Sequence, residues 1–159
     1  YEAEAEEVEK RRAFAAVAAR RGYFKVEKER SGAFGGYLRG YKTFDPTLGL
    51  YSAYAYAQGD LMDGVNSVYR YMRDEGVPVL FDVALLSGKL TREALEAQPP
   101  RIAPFCPLLT QGWAFLAGYE EIVPKPVLDV ARHLIPALWT TFTAEGIDLL
   151  WNPVERGEL

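Results

Sequence analysis

Cysteine and histidine are almost missing from this sequence: 159 residues hold one of each, Cys106 and His133. A lone cysteine excludes an internal disulfide and suits a reducing, cytoplasmic compartment. A zinc site needs three or four Cys/His ligands at short spacings, which the chain does not supply. The phosphate-cradling patterns G-x-x-x-x-G-K-[ST] and G-x-G-x-x-G are absent too. No run approaches the roughly 18 apolar residues of a membrane span. The glutamate-rich start lacks the basic-then-apolar order of a signal peptide. These absences set the expectation of no metal, no cofactor and no membrane.

What is present is a globular composition, 49% hydrophobic and 25% charged, enough apolar surface to offset the entropy of ordering a chain. The charge is uneven. Residues 1–44 carry ten Lys/Arg against seven Glu, a net of +3, whereas 45–159 carry eight Lys/Arg against fifteen Asp/Glu, a net of −7. An acidic body repels phosphate backbones, which disfavours nucleic acid as a partner. The chain opens at Tyr1 directly on a helical pattern, and we expect it to be a piece of a longer protein.

Periodicity predicts an exposed helix over residues 2–21. Its i,i+4 pairs Glu6–Lys10 and Glu7–Arg11 are favourable, and its apolar face of Phe14, Val17 and Ala18 begins late, so the first turns should project. Gly22 stands where a helix ends in the left-handed conformation. Over 23–44 helical periodicity vanishes. Phe24 and Val26 alternate with Lys25 and Glu27, and SGAFGGYLRGY holds four glycines, so a small β-hairpin or ordered loop is expected.

Asp45-Pro46 then reads as a cap followed by a first-turn proline. Leu48, Tyr51, Tyr54 and Ala55 form one face of the helix it opens, and Gly59 stops it. Asp60 and Asp63 suggest a capping box for a second helix with the stripe Leu61, Val65, Val68 and Met72, closed by Gly76. Further on, Thr91 can cap TREALEAQ, and four prolines make QPPRIAPFCP a rigid connection. LLTQGWAFLAG reads as another long element. Pro136 must kink or divide a helix over 127–151.

The segment 48–77 resembles a tetratricopeptide or pentatricopeptide hairpin. AYAQGDL, with Tyr54, Ala57, Gly59 and Asp60, stands where such repeats turn, and Val68, Met72 and Gly76-Val77 echo the pentatricopeptide second helix. That resemblance implies a peptide partner in the first case and single-stranded RNA in the second. A repeat array needs three or more units at a period of about 34, and shifting by that period lands on VLFDVALLSGKL, which does not match. FDPTLGLYSAYAYAQGD and FCPLLTQGWAF also resemble helical accessory regions of large bacterial proteins, some of which carry caspase-like domains elsewhere.

Candidate chemistry is sparse. Cys106 and His133 could form a nucleophile–base pair oriented by Asp129 or Asp148, with Asp129 one helical turn from His133, but no family signature surrounds the cysteine. Asp60/Asp63 and Glu120/Glu121 are better read as a cap and a solvated turn than as metal ligands. The glycine run could hold a phosphate with help from Arg39. Lys25, Lys28, Arg30, Arg39 and Lys42 among Tyr23, Phe24, Phe34, Tyr37 and Tyr41 could bind a single strand or an acidic partner. Among the tyrosines Tyr51, Tyr54, Tyr56, Tyr69 and Tyr71, helix spacing prevents all from sharing one face.

The expectation is an all-α bundle of five to seven helices in one domain. It comprises a projecting helix (1–22), a Gly-rich hairpin or loop (23–44) and a helical body (45–159). The leading functional expectation is a non-catalytic interaction or regulatory domain that binds a protein or peptide through Tyr51, Tyr54, Tyr69 and Arg39. Nucleic-acid or nucleotide binding through 23–44 is the alternative, and a cysteine-dependent hydrolase a lower one.

Overall fold

The computed structural model describes residues 2–43, 45–76 and 78–159. Tyr1, Phe44 and Val77 lie outside the described residues, so the repeat-like Gly-Val ending is followed only to Gly76. The protein is mostly helical, as expected. Contacts gather the chain into two compact units, residues 1–77 and 78–159, each described by itself.

Among its described residues the first unit has four α-helices, α1 (Glu2–Ala18), α2 (Ser31–Arg39), α3 (Pro46–Gln58) and α4 (Met62–Asp74), with a 3₁₀ turn at Lys28–Arg30. α3 and α4 form an antiparallel hairpin. A Cβ on Gly49, early in α3, would stand 2.6 Å from Met72 Cε late in α4, while one on Gly64, early in α4, would stand 2.5 Å from Cγ of Tyr56 late in α3. Asp45 caps α3 as expected, Oδ1 accepting from Thr47 N–H at 2.9 Å and from the Thr47 hydroxyl at 2.7 Å. The expected Asp60 cap does not form: Asp60 takes the left-handed turn (φ 57°) and pairs with Lys28. Gly59 ends α3 as expected and is also needed for close approach, since a Cβ there would meet Ser31 Cβ at 2.5 Å.

The expected hairpin or loop over 23–44 is corrected in part: 23–27 are non-helical, but Lys28–Arg30 form a 3₁₀ turn and the glycine run is helical. SGAFGGYLR is α2. Each interior glycine costs a helix about 1 kcal/mol of propensity. Here the missing side chains let α2 lie against α3: a Cβ on Gly35 would stand 2.9 Å from the Tyr56 ring, and the buried Ser52 hydroxyl donates to the Gly35 carbonyl at 2.9 Å. Packing therefore overrides propensity. The alternation before it is correct, with Phe24 and Val26 buried, but their partner is a side chain: Gln58 Oε1 accepts from Val26 N–H at 2.7 Å and Nε2 donates to the Phe24 carbonyl at 2.8 Å.

α1 docks the opposite way from expectation. Val8 and Ala15 are its buried residues, and Arg11 between them lies over the rings of Tyr37 (4.4 Å) and Tyr41 (4.0 Å). Arg12 donates to the buried Asp45 at 2.6 Å. These two arginines secure the middle of the helix, and Phe14 and Val17 are left facing outward.

In the second unit, β1 (Val79–Leu80) pairs in parallel with β2 (Ile102–Ala103), Val79 opposite Ile102. Between them lie α5 (Phe81–Leu86) and α6 (Arg92–Glu96), the latter capped by Thr91 as expected, at 3.2 Å. Residues 110–116 form a 3₁₀ helix, α7 spans Lys125–Val130 and α8 spans Ala144–Glu155. Pro136 divides rather than kinks: residues 134–143 are non-helical, bridging Leu134 to Phe142 and Trp139 to Leu109. The fully buried Asp82 carboxylate accepts from the N–H groups of Leu108 (2.6 Å) and Leu109 (3.1 Å), fixing the backbone at 108–109 onto α5.

Candidate protein-binding groove

Phe14 and Val17 are the residues the periodicity of α1 assigns to a core, yet they are 43% and 62% exposed. They form one wall of an open groove of about 460 Å³. Phe34 and Tyr37 of α2 line it with Val26, and Lys25, Glu27 and Arg30 stand at its rim. The floor is a continuous aromatic stack. Phe14 lies on Phe34 (4.6 Å between centroids) and edge-on to Tyr37 (5.1 Å); Phe34 meets Phe24 (5.8 Å), which stacks on Tyr51 (5.0 Å). The exposed Phe14 ring thus rests on half-buried Phe34 and, through it, on buried Phe24 and Tyr51.

The rim is basic on balance. Lys25 has no ion-pair partner among the described residues, and Arg30 reaches Glu27 only at 3.5 Å between two exposed side chains, a contact of little worth. Exposed Arg20 and Arg21 follow the last turn of α1. An apolar trough with aromatic walls and a cationic edge suits an amphipathic acidic segment.

The four expected partner-binding residues divide. Tyr54 is only 2% exposed and Tyr51 is also buried; burial, and then Asp45, raises the Tyr51 phenol above its ordinary value. Both rings belong to the core, because their face of α3 is covered by 24–26 and α2. Tyr69 is half-buried on α4, and Arg39, also half-buried, donates to the Ser67 hydroxyl at 2.8 Å, tying α2 to α4. Two of the other cations of 23–44 are similarly engaged, Lys28 by Asp60 and Lys42 over the Tyr71 ring at 3.6 Å, unlike Lys25 and Arg30 at the groove. The expected phosphate-holding glycine loop is replaced by helix α2.

The cysteine–histidine pairing does not form. Cys106 is buried, and burial followed by the charge of Asp82 pushes its thiol up to about 12. That is far from the lowered value of a nucleophilic cysteine. Asp129 pairs with Lys125 (2.5 Å) rather than with His133, whose Nδ1 is 3.3 Å from the Thr143 hydroxyl. Among the described residues no group of three His, Cys, Asp or Glu is placed to hold a metal ion, and no helix is long and apolar enough to cross a membrane.

The groove escaped sequence reasoning because Phe14, Val17 and Ala18 look like an ordinary packing face. The available signal was their setting, an apolar patch ending at Arg20 and Arg21 on an otherwise polar helix. Compared with known proteins, the chain matches no protein-family model, no curated protein and no solved structure.

Proposed function

We propose that this chain is a non-catalytic interaction domain whose α1–α2 groove binds an acidic, amphipathic segment of a protein partner. The observation that carries this reading is the exposure of Phe14 and Val17 over an aromatic base, beside the cationic rim of Lys25 and Arg30. Exposed apolar side chains in an ordered trough lower their free energy when a partner covers them, and a cationic rim selects an acidic one. In this reading the α3–α4 hairpin, of tetratricopeptide-like shape, is the platform that holds α2, and a single such hairpin suffices because the recognition surface lies on the α1 side.

The test is a fluorescence-anisotropy titration with a labelled synthetic peptide carrying a Leu/Trp stripe flanked by glutamates. Wild type should bind with micromolar affinity that weakens as salt rises from about 50 to 500 mM. Val17→Asp should weaken binding at least tenfold, with the far-UV circular dichroism unchanged because Val17 is mostly exposed. Equal affinity of wild type and Val17→Asp overturns the proposal.

A further inference from the structure

A second apolar surface lies on α8, and its chemistry is the complement of the groove. Gly146, Leu150 and Pro153 face the core of the second unit. At 100° per residue, Ile147, Trp151 and Val154 form a separate stripe about a quarter-turn from that face. They are 53%, 60% and 47% exposed, a large apolar presentation for one 12-residue helix. Asp148 and Glu155 follow on the stripe's far edge, both exposed. The i, i+4, i+7 spacing of the three apolar residues is the anchor pattern of a helix that lies in a groove.

Charge decides what can cover the stripe. An antiparallel two-fold pairing of α8 with another α8 sets acidic edge beside acidic edge, which is repulsive. The stripe instead calls for an apolar trough with a net cationic rim, and the α1–α2 groove is such a trough: Phe14, Val17 and Tyr37 within, Lys25 and Arg30 at the edge against the single Glu27. We infer that the groove of one copy of this chain takes the Ile147–Trp151–Val154 stripe of a second copy. The inference rests on the groove reading above and names its occupant. The contact is heterologous, joining different patches on the two copies, so reciprocal exchange closes a dimer and one-way exchange extends a chain.

Sedimentation of the full chain between about 5 and 200 µM at 50 mM salt tests it. Wild type should rise from the 17.8 kDa monomer with concentration and revert towards it as salt is raised. Val17→Asp, which keeps the stripe, and Trp151→Asp, which keeps the groove, should each remain monomeric alone. An equimolar mixture of the two should form a 1:1 heterodimer through the one intact contact. Ile147→Asp serves as a second stripe variant should Trp151→Asp lose helical dichroism. Wild type that stays at 17.8 kDa throughout, single variants that associate as wild type does, or a mixture that stays monomeric overturns the inference. If self-association is absent while the acidic peptide still distinguishes wild type from Val17→Asp, only the identity of the occupant falls; if the peptide fails as well, the groove reading falls with it.

Discussion

Replacing Gly64 by alanine should destabilise the protein although alanine is the better helix former. Gly64 lies inside α4, where Gly→Ala gains about 0.8–1.0 kcal/mol of propensity. The new Cβ would stand 2.5 Å, 2.6 Å and 2.8 Å from Cγ, Cδ1 and Cδ2 of Tyr56. The ring has no room to retreat, because Gly35 of α2 is closed against it: a Cβ there would stand 2.9 Å from Cε1 of the same ring. Overpacking costs about 1–3 kcal/mol, and three contacts below 3 Å place this case in the upper part of that range, so the net loss after the propensity gain is about 1–2 kcal/mol. Gly36→Ala is the control. Its Cβ meets only the Tyr56 hydroxyl, at an ordinary 3.7 Å, so the propensity gain stands and the protein should gain nearly 1 kcal/mol. In urea, with a slope of about 2 kcal/mol/M, the midpoint should fall by ~0.5–1 M for Gly64→Ala and rise by ~0.4 M for Gly36→Ala. Near-UV tyrosine dichroism is a suitable probe, because nine of the ten tyrosines and none of the three tryptophans fall within residues 1–77. In a Tyr56→Leu background the penalty at Gly64 should shrink by more than half. Stabilisation by Gly64→Ala, or a penalty undiminished in the Tyr56→Leu background, would refute the slot.

Two further outcomes follow from buried polar groups. Cys106, raised to about 12, should react with a disulfide reagent at pH 8 on the order of a thousandfold more slowly in the native protein than in urea, since the thiolate is the reacting form; labelling of the native state at the rate of a free thiol contradicts its burial. Burial works to raise the Asp45 carboxyl, but the Thr47 and Arg12 hydrogen bonds outweigh it and hold the group below its ordinary 3.8. A depressed folded value means stability present above 3.8 and lost as pH falls from there through the folded value. Thermal midpoints measured from about pH 5 to 2 should therefore fall less steeply for Asp45→Asn than for wild type, and parallel curves would remove Asp45 from the acid response.

Legibility in the sequence follows the range of the interaction responsible. The start of α3 is readable because Asp45, Pro46 and Thr47 settle it among themselves, and Thr91 and Gly76 likewise carry their signals locally. α2 is not readable, since its glycines look like turn residues until Tyr56 and Leu61, more than 20 positions on, are placed against them. The segment after Pro136 depends on the Thr140 hydroxyl, which accepts from Trp113 Nε1 at 2.8 Å and donates to the Pro107 carbonyl at 2.6 Å, contacts separated by 27 and 33 residues. For the site, Tyr51 and Tyr54 attract notice because tyrosine-rich faces often bind, but Phe24 and α2 cover them. The exposed face of α1 follows from Val8, Arg11 and Ala15 taking the core-side positions, with Arg12 reaching Asp45 from the exposed side, a choice that hydrophobic periodicity assigns the other way.

The central claim is that recognition lies between α1 and α2. Backbone and side-chain NMR shifts recorded while the acidic amphipathic peptide is added test it most directly. Perturbations should cluster on Phe14, Val17, Lys25, Phe34 and Tyr37 and saturate together. Perturbations clustered instead on Tyr69 and Arg39, or none at saturating peptide, would contradict it.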